Sequence, residues 1–201
     1  MDSIQKDLEG KRILIVENDG SQAETLKEQL ESVGIDVVGI ATNAQEALTL
    51  TDALNPALVI MDIHLQDGEP DGIEIARMLN DQEPRPILLL SGYSYGAYIE
   101  RAKSSGVITY LVKPVTIKEL LPSIVLTMDR FREVATLKAT VDDMRETLVN
   151  RKVIEQAKGL LMEKKGLTER EAFRTLRKKS QEQNKPMAEI ARTLVMMQDL
   201  L

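Results

Sequence analysis

RILIVENDG, residues 12–20, sets four apolar side chains in a row from Ile13 to Val16, turns to Glu17, Asn18 and Asp19, and reaches a glycine where an amphipathic segment begins. A short apolar run, a polar turn and a helical pattern of ten to fourteen residues make one βα unit. The unit recurs. DVVGI at 36–40, ALVIMD at 57–62, PILLLS at 86–91 and ITYLV at 108–112 are four further strand candidates, and helical patterns lie near 21–33, 44–54, 71–80 and 96–104. The third and fourth runs are apolar throughout, as strands covered on both faces should be. Gly34 and Gly106 stand where helices should stop, and Pro56 opens the third strand. The pattern predicts an α/β doubly wound, five-stranded parallel sheet.

In such sheets ligands bind at the carboxyl ends of the strands. Glu17, Asn18 and Asp19 follow the first strand, Asp62 ends the third, Ser91 the fourth, and Lys113 with Pro114 follows the fifth. Carboxylates gathered there repel one another unless a hard cation joins them, and Mg²⁺ takes oxygen ligands while leaving room for waters and a phosphate. A lysine beside them can pair with a carboxylate or with phosphate oxygens. An aspartate in this setting can attack a phosphoryl group while cations offset the charge on the group transferred. His64, the one histidine, and Tyr93 lie close to Asp62 and Ser91 in sequence and read as loop residues rather than catalytic ones.

ILIVEN, PALVIMD, LLLSG and YLVKP, in this order, resemble the receiver domain of bacterial response regulators, a flavodoxin-like fold, over about residues 11–125. The resemblance implies that Asp62 is the phosphoacceptor, Glu17 and Asn18 the acidic pair that binds Mg²⁺ with Asp62, Ser91 the switch hydroxyl, Tyr110 the switch aromatic and Lys113 the invariant lysine. It also implies a cis bond before Pro114 and a sensor histidine kinase as phosphodonor. One departure stands out. Receivers usually carry two acids after the first strand, and the second here is Asn18, whose amide oxygen can ligate a cation but adds no charge. Asp19 would compensate only through a shift of the loop register.

Composition bounds the rest. Hydrophobic residues make up 43% and charged residues 29%, the mixture of a soluble globular protein, and with no cysteine there is neither a disulfide nor a thiolate metal site. The opening MDSIQKDLEG is too polar for a signal peptide, and no apolar run is long enough for a membrane span, so a cytoplasmic protein is expected. The net charge of −6 is unevenly divided: residues 1–140 carry 13 Lys and Arg against 22 Asp and Glu, whereas residues 141–201 carry 13 against 10. The acidic part repels polyanions and the C-terminal part can meet them.

TIKE at 116–119 is a capping box that starts a helix. Ile117, Leu121, Ile124, Met128 and Phe131 then step by 4, 3, 4 and 3, and after a slip the seam continues through Val134, Leu137, Val141, Met144 and Leu148. Pro122 should kink this helix or mark a late start. The expected organisation is a first domain at 11–122, a helical coiled-coil connector at 123–140, and a small three-helix bundle at 141–201. The connector would pair with a second copy or pack on its own C-terminal domain.

RKVIEQAKGLLM at 151–162 is a cationic amphipathic helix with Arg151 and Lys158 two turns apart on one side, and it stops at Lys164, Lys165 and Gly166. TERE at 168–171 is another capping box, whose helix should bury Ala172, Phe173 and Leu176 and display Arg174, Arg177, Lys178 and Lys179. Asn184 should end it, and Pro186 suits the first turn of a last helix striped with Met187, Ile190, Ala191, Leu194 and Val195. Together with LTEREAFRTLRKKS and MAEIARTLV, this segment resembles the ANTAR domain, an RNA-binding antitermination module, over about residues 137–200. The resemblance implies binding to hairpins in nascent transcripts so that a terminator fails to form. Arg151, Lys158, Gly159, Arg174 and Arg177 then become candidates for RNA contact or for shaping that surface. With Phe173 expected inside, base stacking is not, and phosphate contacts should carry binding.

The expected protein is therefore a phosphorylation-controlled, non-enzymatic regulator, homodimeric in a phosphorylation-dependent way, with RNA hairpins and a histidine kinase as partners and no membrane attachment. Two other readings remain open: a DNA-binding response regulator, and a receiver-based protein adaptor with no nucleic-acid output.

Overall fold

A computed structural model describes residues 2–65, 70–92 and 109–198. The helix expected near 96–104, its stop at Gly106, Tyr93 and the first residue of the fifth strand lie outside them. The strands are β1 (Arg12–Val16), β2 (Asp36–Ala41), β3 (Leu58–Asp62), β4 (Ile87–Ser91) and β5 (Thr109–Val112). They form one parallel sheet in the order β2-β1-β3-β4-β5. The helices are α1 (Asp2–Leu8), α2 (Gly20–Glu31), α3 (Ala44–Leu54), α4 (Gly72–Gln82), α5 (Ile117–Lys165), α6 (Glu169–Gln183) and α7 (Met187–Gln198). The chain divides into two compact units between Ala135 and Thr136, inside α5 and inside the stretch expected to act as connector.

In the first unit, strand alternation sends neighbouring side chains to opposite faces of the sheet. Leu14, Val16, Val59, Met61, Ile87 and Leu89 face Ala47 of α3 and Ile73, Ala76 and Leu79 of α4. Ile13, Ile15, Leu58, Ile60, Leu88 and Leu90 face Leu26 and Leu30 of α2 and Leu120, Leu121, Ile124 and Met128 of α5. Each such fully buried aliphatic side chain stabilises the fold by about 1.5–3 kcal/mol relative to exposure. The sequence pattern missed α1, whose Ile4 and Leu8, one helical turn apart, pack on the second of these faces.

Pro122 does not delay α5. Thr116 donates from its backbone N–H and its hydroxyl to the Glu119 carboxylate, fixing the helix start ahead of the proline. The helix then runs unbroken for 49 residues. Proline in the second turn removes a single backbone bond, and Leu120, Leu121 and Ile124, all buried, hold that turn on the sheet.

The second unit is a three-helix bundle. Ala157 and Leu161 of α5, Ala172 and Leu176 of α6, and Ile190 and Ala191 of α7 form its core, with Val153, Ile154, Met187, Leu194 and Val195 packed against it. Gly166 (φ 64°) ends α5 as expected, Thr168 and Glu171 form the capping box of α6, and Asn184 (φ 50°) ends that helix. Pro186 stands just ahead of α7, accepting from Glu189 and Ile190 N–H. Phe173 is not buried: it is 42% exposed. At 100° per residue it stands about 80° round the helix from the line of Ala172 and Leu176, which already fill the contact.

Candidate functional site

Parallel pairing brings the strand ends together. Val16 of β1 pairs with Met61 of β3, Asp62 with Leu90 of β4, and Ser91 with Val112 of β5, so the residues that end or follow these strands share one edge. Lys113 N–H donates to the Ser91 carbonyl at 2.7 Å, carrying β5 one residue further and placing the lysine at that edge. The Lys113–Pro114 bond is cis, as expected.

There the Lys113 ammonium lies 2.5 Å from Glu17 Oε2, 2.9 Å from Asp62 Oδ2 and 2.9 Å from the amide oxygen of Gln22. Glu17 and Asp62 are both buried, and two buried carboxylates at one spot are tolerated because one cation bridges them. Burial by itself would lower the Lys113 pKa, but the bonds to Glu17 and Asp62 together outweigh it and hold it above the usual lysine value. The lysine is therefore a fixed charge at neutral pH. Glu17 Oε1 accepts from Asp19 N–H at 3.1 Å, and Asp62 Oδ1 accepts from His64 N–H at 3.3 Å, so both carboxylates are oriented by backbone as well. A cleft of about 390 Å³ opens beside Lys113 between α2 and the β5–α5 turn.

Asn18 is exposed, and Asp19 is committed elsewhere. The Asp19 carboxylate caps α2, accepting from Ser21 N–H at 2.9 Å, Gln22 N–H at 3.1 Å and the Gln22 side-chain amide at 3.0 Å. The Gln22 side chain leads the causes that lower its pKa. A register shift that made Asp19 a ligand would uncap the helix. The oxygens of Glu17, Asn18 and Asp62 are hard donors and fit Mg²⁺ in kind, with two carboxylates where three are usual.

Ser91 is buried beside this group, while Tyr110 is 41% exposed. Sequence reasoning passed over Gly72. A Cβ there would lie 2.1 Å from the Asp62 carbonyl oxygen and 3.0 Å from Ile63 Cα, so only glycine lets the start of α4 close over the Asp62 backbone. Its N–H donates to the Ile63 carbonyl at 2.9 Å. The available signal was a glycine in the first turn of a predicted helix, where a better helix former would otherwise serve. Gln22 carried no signal, being one polar residue among several on α2.

On the second unit, Arg151, Arg174 and Arg177 are exposed as expected. Lys158 is not a displayed cation. It is buried, and its ammonium donates to both oxygens of Glu155, at 3.1 and 2.9 Å, and to Glu169 Oε1 at 2.6 Å. It therefore ties α5 to the start of α6 instead of widening a cationic face. Glu169 was invisible as its partner because the two are eleven residues apart and meet only across the turn at Gly166. Arg192 makes a second tie, donating to Asn150 Oδ1 at 2.5 Å. Gly159 is exposed with open space around it, so within this chain it does not serve close helix packing.

Comparison with known proteins agrees with both halves. The model of the response regulator receiver domain matches residues 13–125, and that of the ANTAR domain matches residues 142–195. The transcriptional regulatory protein PdtaR of Mycobacterium tuberculosis is 36% identical over 185 residues, covering 92% of this chain and 89% of that protein. The DNA-binding response regulator MtrA of the same species is 34% identical over 110 residues, 55% of this chain and 47% of that protein. Among solved structures, the signal receiver domain of a modulated diguanylate cyclase from Desulfovibrio desulfuricans G20 superposes with a TM-score of 0.57 at 33% identity, covering 62% of this chain and 98% of that one. The bridged carboxylates at the strand ends, the helical second unit and these matches lead to one conclusion: the chain belongs to the response regulators that join a receiver domain to an ANTAR domain.

Proposed function

We propose that Asp62 accepts a phosphoryl group from a sensor histidine kinase and that the phosphorylated protein, paired with a second copy, binds hairpins in nascent transcripts so that RNA polymerase passes a terminator. The observation that carries this reading is the Lys113 ammonium held on both Asp62 and Glu17. In the transfer, a bond forms between an Asp62 carboxylate oxygen and phosphorus as the phosphohistidine P–N bond breaks. Asp62 is oriented by His64 N–H and Lys113, and Lys113 follows the growing charge on the phosphoryl oxygens. Glu17, Asn18 and Asp62 would hold Mg²⁺, which would supply further positive charge to those oxygens. The phosphoryl group adds a charge of about −1.5 to −2. It draws in the Ser91 hydroxyl and Lys113, and Tyr110, now exposed on β5, turns inward toward Ser91.

Pairing uses the exposed α5 stripe Val134, Leu137, Val141, Met144 and Leu148, which steps by 3, 4, 3 and 4. Two copies bring two second units to paired hairpins and raise avidity without new contacts. Arg151, Arg174 and Arg177 contact RNA, while Lys158 and Gly159 shape the surface that carries them. No described helix is long and apolar enough to cross a membrane, which suits action on transcripts in the cytoplasm.

The test measures oligomeric state and hairpin affinity with and without acetyl phosphate plus Mg²⁺, for wild type and Asp62→Asn. Both quantities should rise on phosphorylation of the wild type alone. Equal values in all four samples would sink the switch, and preference for duplex DNA over hairpin RNA at one salt concentration would favour a DNA-binding regulator.

A further inference from the structure

Phe173 is the one aromatic residue of the second unit, and its ring is outside the core. Its 42% exposure forgoes a good part of the roughly 1.5–3 kcal/mol that burying a phenylalanine supplies. Its surroundings are cationic. Arg170 precedes it by three residues and Arg177 follows by four, the two spacings that put side chains on one helix face, and Arg174 is next to it. All three arginines are exposed, and among the described residues none of them forms an ion pair, whereas Lys178 on the same helix pairs with Glu182. One aromatic ring is too small a patch for a protein interface, and three guanidiniums within two turns would repel a basic surface and favour an anionic one. A flat apolar ring between unpaired guanidiniums suits a ligand that is itself a flat ring between two phosphates.

We infer that Phe173 is a stacking platform for one unpaired nucleobase, with Arg170, Arg174 and Arg177 holding the flanking phosphates. This rests on the RNA-binding reading and adds to it a site that selects looped-out over paired nucleotides. Bases inside a duplex stack on one another and offer no face to a side chain on a helix surface, so the base must come from a loop or bulge. Base–aromatic stacking supplies about 1–3 kcal/mol per base, roughly five-fold to more than a hundred-fold in affinity.

The experiment uses the full phosphorylated chain and two synthetic RNAs: a hairpin with a purine loop carrying 2-aminopurine, and the same stem closed as a blunt duplex. Phe173→Leu keeps apolar volume and removes the ring face, whereas Phe173→Tyr keeps the face. The expected result is that F173L binds the hairpin about tenfold more weakly and no longer quenches 2-aminopurine, binds the blunt duplex as wild type does, and melts at the wild-type temperature, while F173Y behaves as wild type. Equal hairpin affinity and equal quenching for F173L would overturn the stacking site and leave RNA binding standing. If wild type bound neither RNA, the RNA-binding reading would fall and this one with it. If F173L altered the elution volume without altering loop preference, the ring would belong to a contact between copies, which also overturns the inference.

Discussion

At Gly72 a methyl group would press on the carbonyl oxygen of Asp62 at 2.1 Å, and neither a Cβ fixed to its own Cα nor a backbone carbonyl can rotate away. Gly72→Ala should therefore destabilise the first unit by about 3 kcal/mol and slow acyl-phosphate labelling of Asp62, read by denaturant melts and by intact mass. Unchanged labelling would show that the Asp62 backbone tolerates the shift. Glu17, Asp62, Ser91 and Lys113 were legible because each ends or follows a strand, and parallel strand ends converge whatever the loops do. Gly72 and Gln22 were not, because their nearness to the site depends on the path of a loop and the pitch of a helix. Asn18 was visible as a departure, but that Asp19 could not replace it became plain only from the three hydrogen bonds its carboxylate already accepts.

At the scale of elements, the turn from α5 to α6 depends on a cap. Thr168 accepts from Glu171 N–H, and Glu171 accepts from the Thr168 hydroxyl and N–H. Thr168→Ala should cost the second unit about 1 kcal/mol in a thermal or urea melt. The Thr168 hydroxyl, and then its backbone N–H, hold the Glu171 pKa below its ordinary 4.5. A lowered carboxylate contributes stability that is present above the ordinary value and lost as pH falls through the folded one. Helicity of the second unit should thus weaken below about pH 4.5, less so in Glu171→Gln, which lacks the titrating group; identical acid profiles would count against this cap. Along α5, Leu137→Glu with Met144→Glu should abolish pairing between copies in sedimentation while leaving each unit folded, since both positions are exposed. The capping boxes and the glycine stop at Gly166 could be read in advance because they are local. Pro122 misled because its effect depends on the sheet that α5 is packed against, and Phe173 because an apolar residue beside a buried stripe looks like part of it.

Across the whole molecule, charge is divided as sharply as structure, with the acidic excess before residue 140 and the basic excess after it. Nucleic-acid affinity should fall steeply with salt, because each cation that meets a phosphate releases counterions. Arg151→Gln, Arg174→Gln and Arg177→Gln should each lessen the slope of log affinity against log salt by about one. A slope unchanged in all three would move the interface elsewhere on the bundle. Lys158 will behave differently. Lys158→Met leaves Glu155 and Glu169 facing each other without their cation, which loosens the junction of α5 with α6 and weakens binding at every salt concentration alike. A scan that scores only lost binding would enrol Lys158 among the contacts. Its unaltered slope would identify it as a keystone, a charge whose work is finished before any ligand arrives.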